Sequence, residues 1–120
     1  MVLLSKSIQR KRHENDGIRI CIMRRPDSKA DFDIWMPTLA PSHDLLTSYH
    51  DKKINWKQFE VRFNREVLGA NHAYVELLAD ISSNRNVTIL CWEKTPEICH
   101  RRLVAEACRK INPCLFVVLK

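Results

Sequence analysis

Seven side chains in this 120-residue chain have the types and spacing to do chemistry together. Five lie in one segment, Val87–Lys110 (VTILCWEKTPEICHRRLVAEACRK): Cys91, Glu93, Cys99, His100 and Arg101. A cysteine near positive potential ionises to a nucleophilic thiolate, so Cys91 and Cys99 are candidate nucleophiles. His100 is the candidate base or substrate-orienting group. Glu93 and Arg101 are candidates to complete a pocket. The other two are Arg24 and Arg25, which directly follow an apolar run, Ile18–Met23. Two guanidinium groups beside a helix N-terminus would make a phosphate or carboxylate site. Each group also has a purely structural reading. Cys91 would fill the space of a valine, His100 would be a buried and satisfied imidazole, and Glu93 with Arg101 would pair to close a turn. Arg24 and Arg25 would pair locally with Asp27, Asp31 or Asp33.

The elements around the segment give it a geometry. Val87, Thr88, Ile89 and Leu90 are β-branched or apolar, as in a strand covered on both faces. Thr95 supplies an N-cap hydroxyl and Pro96 suits the first helical position. The spacing therefore predicts a helix from Pro96 to about Lys110, stopped by Asn112-Pro113. Ligands in open α/β sheets bind beyond the carboxyl ends of the strands, where Cys91 would lie. On the helical wheel His100, Leu103, Val104, Ala107 and Ile111 share the inward face, with Cys99 about 100° away on the flank.

The same placement weighs against a metal. Cys91, Cys99 and His100 are three soft or borderline ligands within ten residues, but zinc usually takes closer cysteine spacing. A flanking Cys99 beside an inward His100 would strain joint ligation, so neither metal nor cofactor is expected. Two familiar thiol mechanisms are excluded by spacing: Cys91 to Arg101 is not the Cys-x5-Arg phosphate cradle, and no Cys-x-x-Cys redox pair occurs.

Cys91-x-Glu93-x-x-Pro96-x-x-Cys99-His100-Arg101 resembles the signature of the domain of unknown function 488 family, an uncharacterised family. Trp35–Ser42 (WMPTLAPS), with Trp56-x-x-Phe59 and the helical run after it, resembles the same family. The resemblance runs from about Ile18 to the end of the chain. It implies an α/β fold and the site residues above, but no reaction. Where the family carries a Pro-Arg-Gly type of turn, this chain has Pro26-Asp27-Ser28, which weakens the transfer of an anion-binding role to that loop.

Composition sets the outer limits. One domain spanning residues 1–120 is expected. The five cysteines are odd in number and no signal-peptide core is visible at Val2-Leu3-Leu4, so reduced thiols in a cytoplasmic setting are expected. Cys21, Cys108 and Cys114 read as core residues. No run approaches the ~20 apolar residues of a membrane span. A net charge of +6 favours anionic partners. Only Gly17 and Gly69 occur, which excludes a glycine-rich phosphate loop.

Along the chain, Val2–Ile8 and Ile18–Met23 read as strands, as a hairpin with a long loop or otherwise. The basic loop between them, Arg10 to His13, is a weak candidate for nucleic-acid contact. Ala30–Ser42 reads as irregular. Ser42 caps a short helix from His43 to His50, whose two terminal histidines are further site candidates. Asn55 caps a helix with Trp56, Phe59, Phe63 and Val67 inward. Asn71 starts another, with Ala73 or Tyr74, Leu77, Leu78 and Ile81 inward. Leu115–Leu119 closes a parallel crossover after the last helix.

The expected fold is α/β: a small mixed, mostly parallel sheet of about four strands with helices on both faces. The expected function is binding of a small anionic ligand at the strand ends. A cysteine-dependent enzyme or redox-sensitive protein using Cys91 or Cys99 is the first alternative, and a nucleic-acid-binding module the second.

Overall fold

The computed structural model describes residues 2–94 and 97–120. Five strands, β1 (Val2–Ser7), β2 (Ile18–Cys21), β3 (Ile34–Trp35), β4 (Val87–Cys91) and β5 (Phe116–Leu119), form one sheet in the order β3-β2-β4-β1-β5. Every pairing is parallel. β1 and β2 are therefore not a hairpin, because β4 lies between them. The sheet has one strand more than expected, the two-residue β3 in the stretch read as irregular.

The register sorts the side chains. Leu3 pairs with Val87 and Ile18 with Val87, so Leu3, Ile20, Val87 and Ile89 share one face. Four helices bury that face: α1 (His43–His50), α2 (Trp56–Phe63), α3 (His72–Asn84) and α4 (His100–Ile111). Their contributions include Leu45, Phe59, Phe63, Val75, Leu78, Leu103 and Val104, all in one apolar cluster. Ser42 caps α1 by accepting from the Leu45 N–H, and Asn55 with Gln58 forms a capping box on α2. A π-helical segment, Asn64–Gly69, joins α2 towards α3. In α3 the inward stripe is Val75, Leu78, Ala79 and Ser82, while Tyr74 and Leu77 are exposed. The wheel started from the wrong apolar residue there, because Val75 and Leu77 are both candidates and only packing chooses.

The opposite face is built on charge. A 3-10 turn, Glu14–Asp16, lies against it. Asp16 is fully buried, bonds Lys6, and accepts from Arg19 Nη1 at 2.7 Å and from the His13 N–H at 3.0 Å. Thr88 Oγ1 donates to the Asp16 carbonyl at 2.8 Å. Gly17 leaves that turn at φ 64°, and an added Cβ would meet the Asn86 carbonyl at 1.9 Å. One negative charge thus holds two buried cations on three segments.

Two smaller expectations change. Cys114 is exposed, not core, because it follows the Asn112-Pro113 stop rather than lying within β5. Ile111, at the frayed end of α4, is also exposed. No helix of the described residues is long and apolar enough to cross a membrane.

Burial pushes the Asp16 carboxyl up, but the Lys6 bond, the His13 N–H and Arg19 outweigh it and hold it below the usual aspartate range. A carboxyl depressed in the folded state stabilises fully above its unfolded value of about 3.9 and loses that contribution as pH falls further. We expect stability, followed by urea unfolding, to decline below about pH 4. Asp16→Asn should flatten that acid slope and cost about 3–5 kcal/mol at neutral pH by leaving two buried cations unpaired.

Candidate functional site

Strand order decides where a cleft forms. β2 sends the chain outwards to β3, whereas its neighbour β4 sends it through α4 to β5 on the other side. Two adjacent strands whose continuations diverge make a topological switch point, with a crevice at their carboxyl ends. Met23, Arg24 and Arg25 follow β2 there, and Cys91, Trp92 and Glu93 end β4. These residues line a cleft of about 660 Å³, closed on its far side by Pro41, His43, Leu46 and His50 and floored by His100. The structure so brings together five of the seven candidates: Arg24, Arg25, Cys91, Glu93 and His100. His43 and His50, the ends of α1, join them.

The floor is a fixed hydrogen-bond chain. His100 Nε2 lies 2.7 Å from the Ile22 carbonyl. A carbonyl only accepts, so Nε2 carries the proton and Nδ1 faces the Cys91 Sγ at 3.4 Å. The Cys99 thiol lies beside both, the three donor atoms all being within 4.8 Å of one another. The neighbouring Cys99 thiol leads the causes that hold the Cys91 thiol below its ordinary value; burial opposes it, and the backbone of Glu93 and Trp92 assists. Cys99 is pushed well up, first by Cys91 and then by burial. Since Nδ1 accepts, the Cys91 thiol is the donor to His100. Burial alone pushes Cys108 up to about 12, as for an inert core thiol.

Cys99 reaches Cys91 because α4 starts later than expected. The predicted cap Thr95 and first-turn Pro96 lie outside the described residues. Glu97–Cys99 form a turn and bend, and the helix begins at His100 with Cys99 as N-cap at φ −149°, ψ 140°. An extended N-cap side chain does not follow the helical wheel, which is why the flank position assigned to Cys99 fails. One thiol Sγ from each cysteine and one His100 ring nitrogen all lie within 4.8 Å of one another, and all three residues are buried. The steric argument against joint ligation thus falls away.

Arg101 does not line the cleft. Its side chain is fully buried, and its guanidinium donates to Ser5 Oγ at 2.8 Å, the Glu93 carbonyl at 2.6 Å and the Lys120 carbonyl at 2.7 Å. The expected pairing with Glu93 is thus to its main chain, not to its carboxylate. Arg101 is a strut that ties the β4 turn to β1 and to the end of β5. Its partners lie up to 96 residues away, so no local pattern announced it.

Arg24 and Arg25 are exposed and make no ion pair among the described residues. Asp31 and Asp33, their proposed local partners, are instead clamped by Arg12 at 2.8 and 3.0 Å. That clamp holds both carboxyls below the usual aspartate range and occupies the central cation of the basic loop.

Replacing the strut separates its role from ligand contact. Arg101→Ala should lower stability by about 3 kcal/mol or more, since charge-assisted bonds to buried acceptors are lost together. Arg101→Lys should recover only part, lacking the planar fork. Urea unfolding curves measured with and without phosphate should show the same loss, as befits a residue outside the cleft.

Residues 3–111 match the family model described as the active DUF488-N3 subclade, DUF488-N3a. No curated protein and no solved structure matches the chain. With the match spanning β1 to β4 and α1 to α4, the chain belongs to the DUF488 family.

Proposed function

We propose that the protein binds a small anionic ligand in the cleft at the β2–β4 switch point. The observation that carries this reading is the pair Arg24 and Arg25, which line the cleft without a carboxylate partner among the described residues. The planar forks of Arg suit phosphate or carboxylate oxygens. Pro41, Leu46 and Trp92 supply an apolar wall, so the ligand is an anion with an organic body. Five free cysteines fit a reducing, cytoplasmic setting. The nucleic-acid alternative is the poorer fit, because Arg12 is committed to Asp31 and Asp33.

Calorimetric titration with inorganic phosphate and with a nucleoside monophosphate tests the reading. Saturable binding, weakened at least about tenfold by Arg24→Ala combined with Arg25→Ala, is the expected result. Equal binding by the double variant, or none to either probe at millimolar concentration, would sink it.

A second reading makes Cys91 a nucleophile, favoured by its depressed thiol and by the His100 Nδ1 at 3.4 Å. It requires brief alkylation, read by mass spectrometry, to label Cys91 well below pH 8.5 while Cys99 and Cys108 stay unlabelled. Uniform inertness of all three until unfolding would end it.

A further inference from the structure

We propose that Cys91, Cys99 and His100 hold a Zn²⁺ ion at the floor of the cleft, with a fourth coordination position open to the ligand. The site deepens the anion-binding reading by naming what the anion meets, but it stands on its own residues.

Donor chemistry comes first. Two thiolates and one imidazole are a zinc donor set, and three protein ligands with one open position are the arrangement of reactive rather than structural sites. The three donor atoms lie within 4.8 Å of one another. Zinc bonds of about 2.3 Å to sulfur and about 2.0 Å to nitrogen place tetrahedral S and N ligands about 3.5 Å apart. The Cys91 Sγ to His100 Nδ1 separation is 3.4 Å, so these two ligands already stand at the spacing that an ion between them requires.

The surroundings support the same assignment. A metal-bound histidine generally donates its other ring N–H to a carbonyl or carboxylate, which fixes tautomer and orientation. His100 Nε2 does this to the Ile22 carbonyl at 2.7 Å and leaves Nδ1 as the free lone pair. The enclosure is also asymmetric in the useful way. Cys99 is shut off behind the floor, while Cys91 and His100 line the cleft beneath Arg24 and Arg25. An anionic oxygen drawn in by the two arginines would reach the open position. Loading is balanced by two protons: two thiols and a neutral imidazole take up Zn²⁺ and release the Cys91 and Cys99 thiol protons to solvent.

A metal and a nucleophilic role exclude one another for Cys91, because a coordinated thiolate is occupied.

The full-length reduced protein, stripped with a chelator, is titrated with Co²⁺ as a spectroscopic stand-in for zinc. The expected result is saturation at about one ion per chain, with thiolate-to-cobalt charge-transfer absorption that Zn²⁺ abolishes. Cys99→Ser should remove or strongly weaken that band, and Cys114→Ser, an exposed thiol away from the cluster, should leave it unchanged. Should Cys99→Ser fail to fold by circular dichroism, the unmodified protein still decides. Zn²⁺ should then protect Cys91, which lines the cleft, from alkylation, and a chelator should restore its labelling. Absence of the charge-transfer band, a band that persists in folded Cys99→Ser, or alkylation indifferent to Zn²⁺ would overturn the proposal. Arg24→Ala with Arg25→Ala should weaken phosphate binding while keeping the cobalt spectrum. Loss of either signal without the other therefore shows which reading has failed.

Discussion

The hydrogen bond from His100 Nε2 to the Ile22 carbonyl governs the arrangement at the strand ends. It joins the start of α4 to the end of β2 across 78 residues of sequence. Since the carbonyl accepts, the bond dictates which ring nitrogen is protonated and aims the other at Cys91. It also satisfies a buried polar ring that would otherwise cost stability. With the Arg101 bonds it fixes the rotation of α4 on the sheet, and so the approach of the N-cap Cys99 to Cys91.

The rest of the charge in the interior separates into two devices with different purposes. Asp16 neutralises Lys6 and Arg19 on the face away from the helices. That arrangement seats the 3-10 turn Glu14–Asp16 on the charged part of that face, against Lys6, Arg19 and Thr88. Arg101 works alone, spending its donors on Ser5, Glu93 and Lys120 rather than on a carboxylate. It fixes the main chain of the turn that carries Glu93 while keeping clear of the cleft. Arg24 and Arg25 differ from both, because they are exposed and make no ion pair among the described residues.

Much of this was legible in the sequence, for physical reasons. The apolar run at Val87–Leu90 and the inward position of His100 follow from periodicity that burial later enforces. Arg24 and Arg25 follow a strand directly, so parallel pairing with β4 was enough to bring them near Cys91. What escaped depends on long-range geometry. Thr95-Pro96 reads as a helix start, yet the α-helical hydrogen bonds begin at His100, and that delay converts Cys99 from a flank residue into a cap facing Cys91. β3 has only two residues, too short to show an alternation. Arg101 looked like a pocket residue because its three acceptors come from distant strands and a turn carbonyl.

Helix α2 presents a row of rings to the interior. Trp56 stacks on Phe59 at 4.8 Å, Phe59 on Phe63 at 5.9 Å, and Phe63 meets the His100 imidazole at 5.6 Å. The last ring of a hydrophobic stack is thus also the floor of a polar cleft. Such a floor has little freedom to drift independently of its foundation, because close-packed rings transmit small displacements rather than absorb them. A substitution at the exposed rim therefore acts locally, whereas one at the floor also displaces the aromatic row packed beneath it.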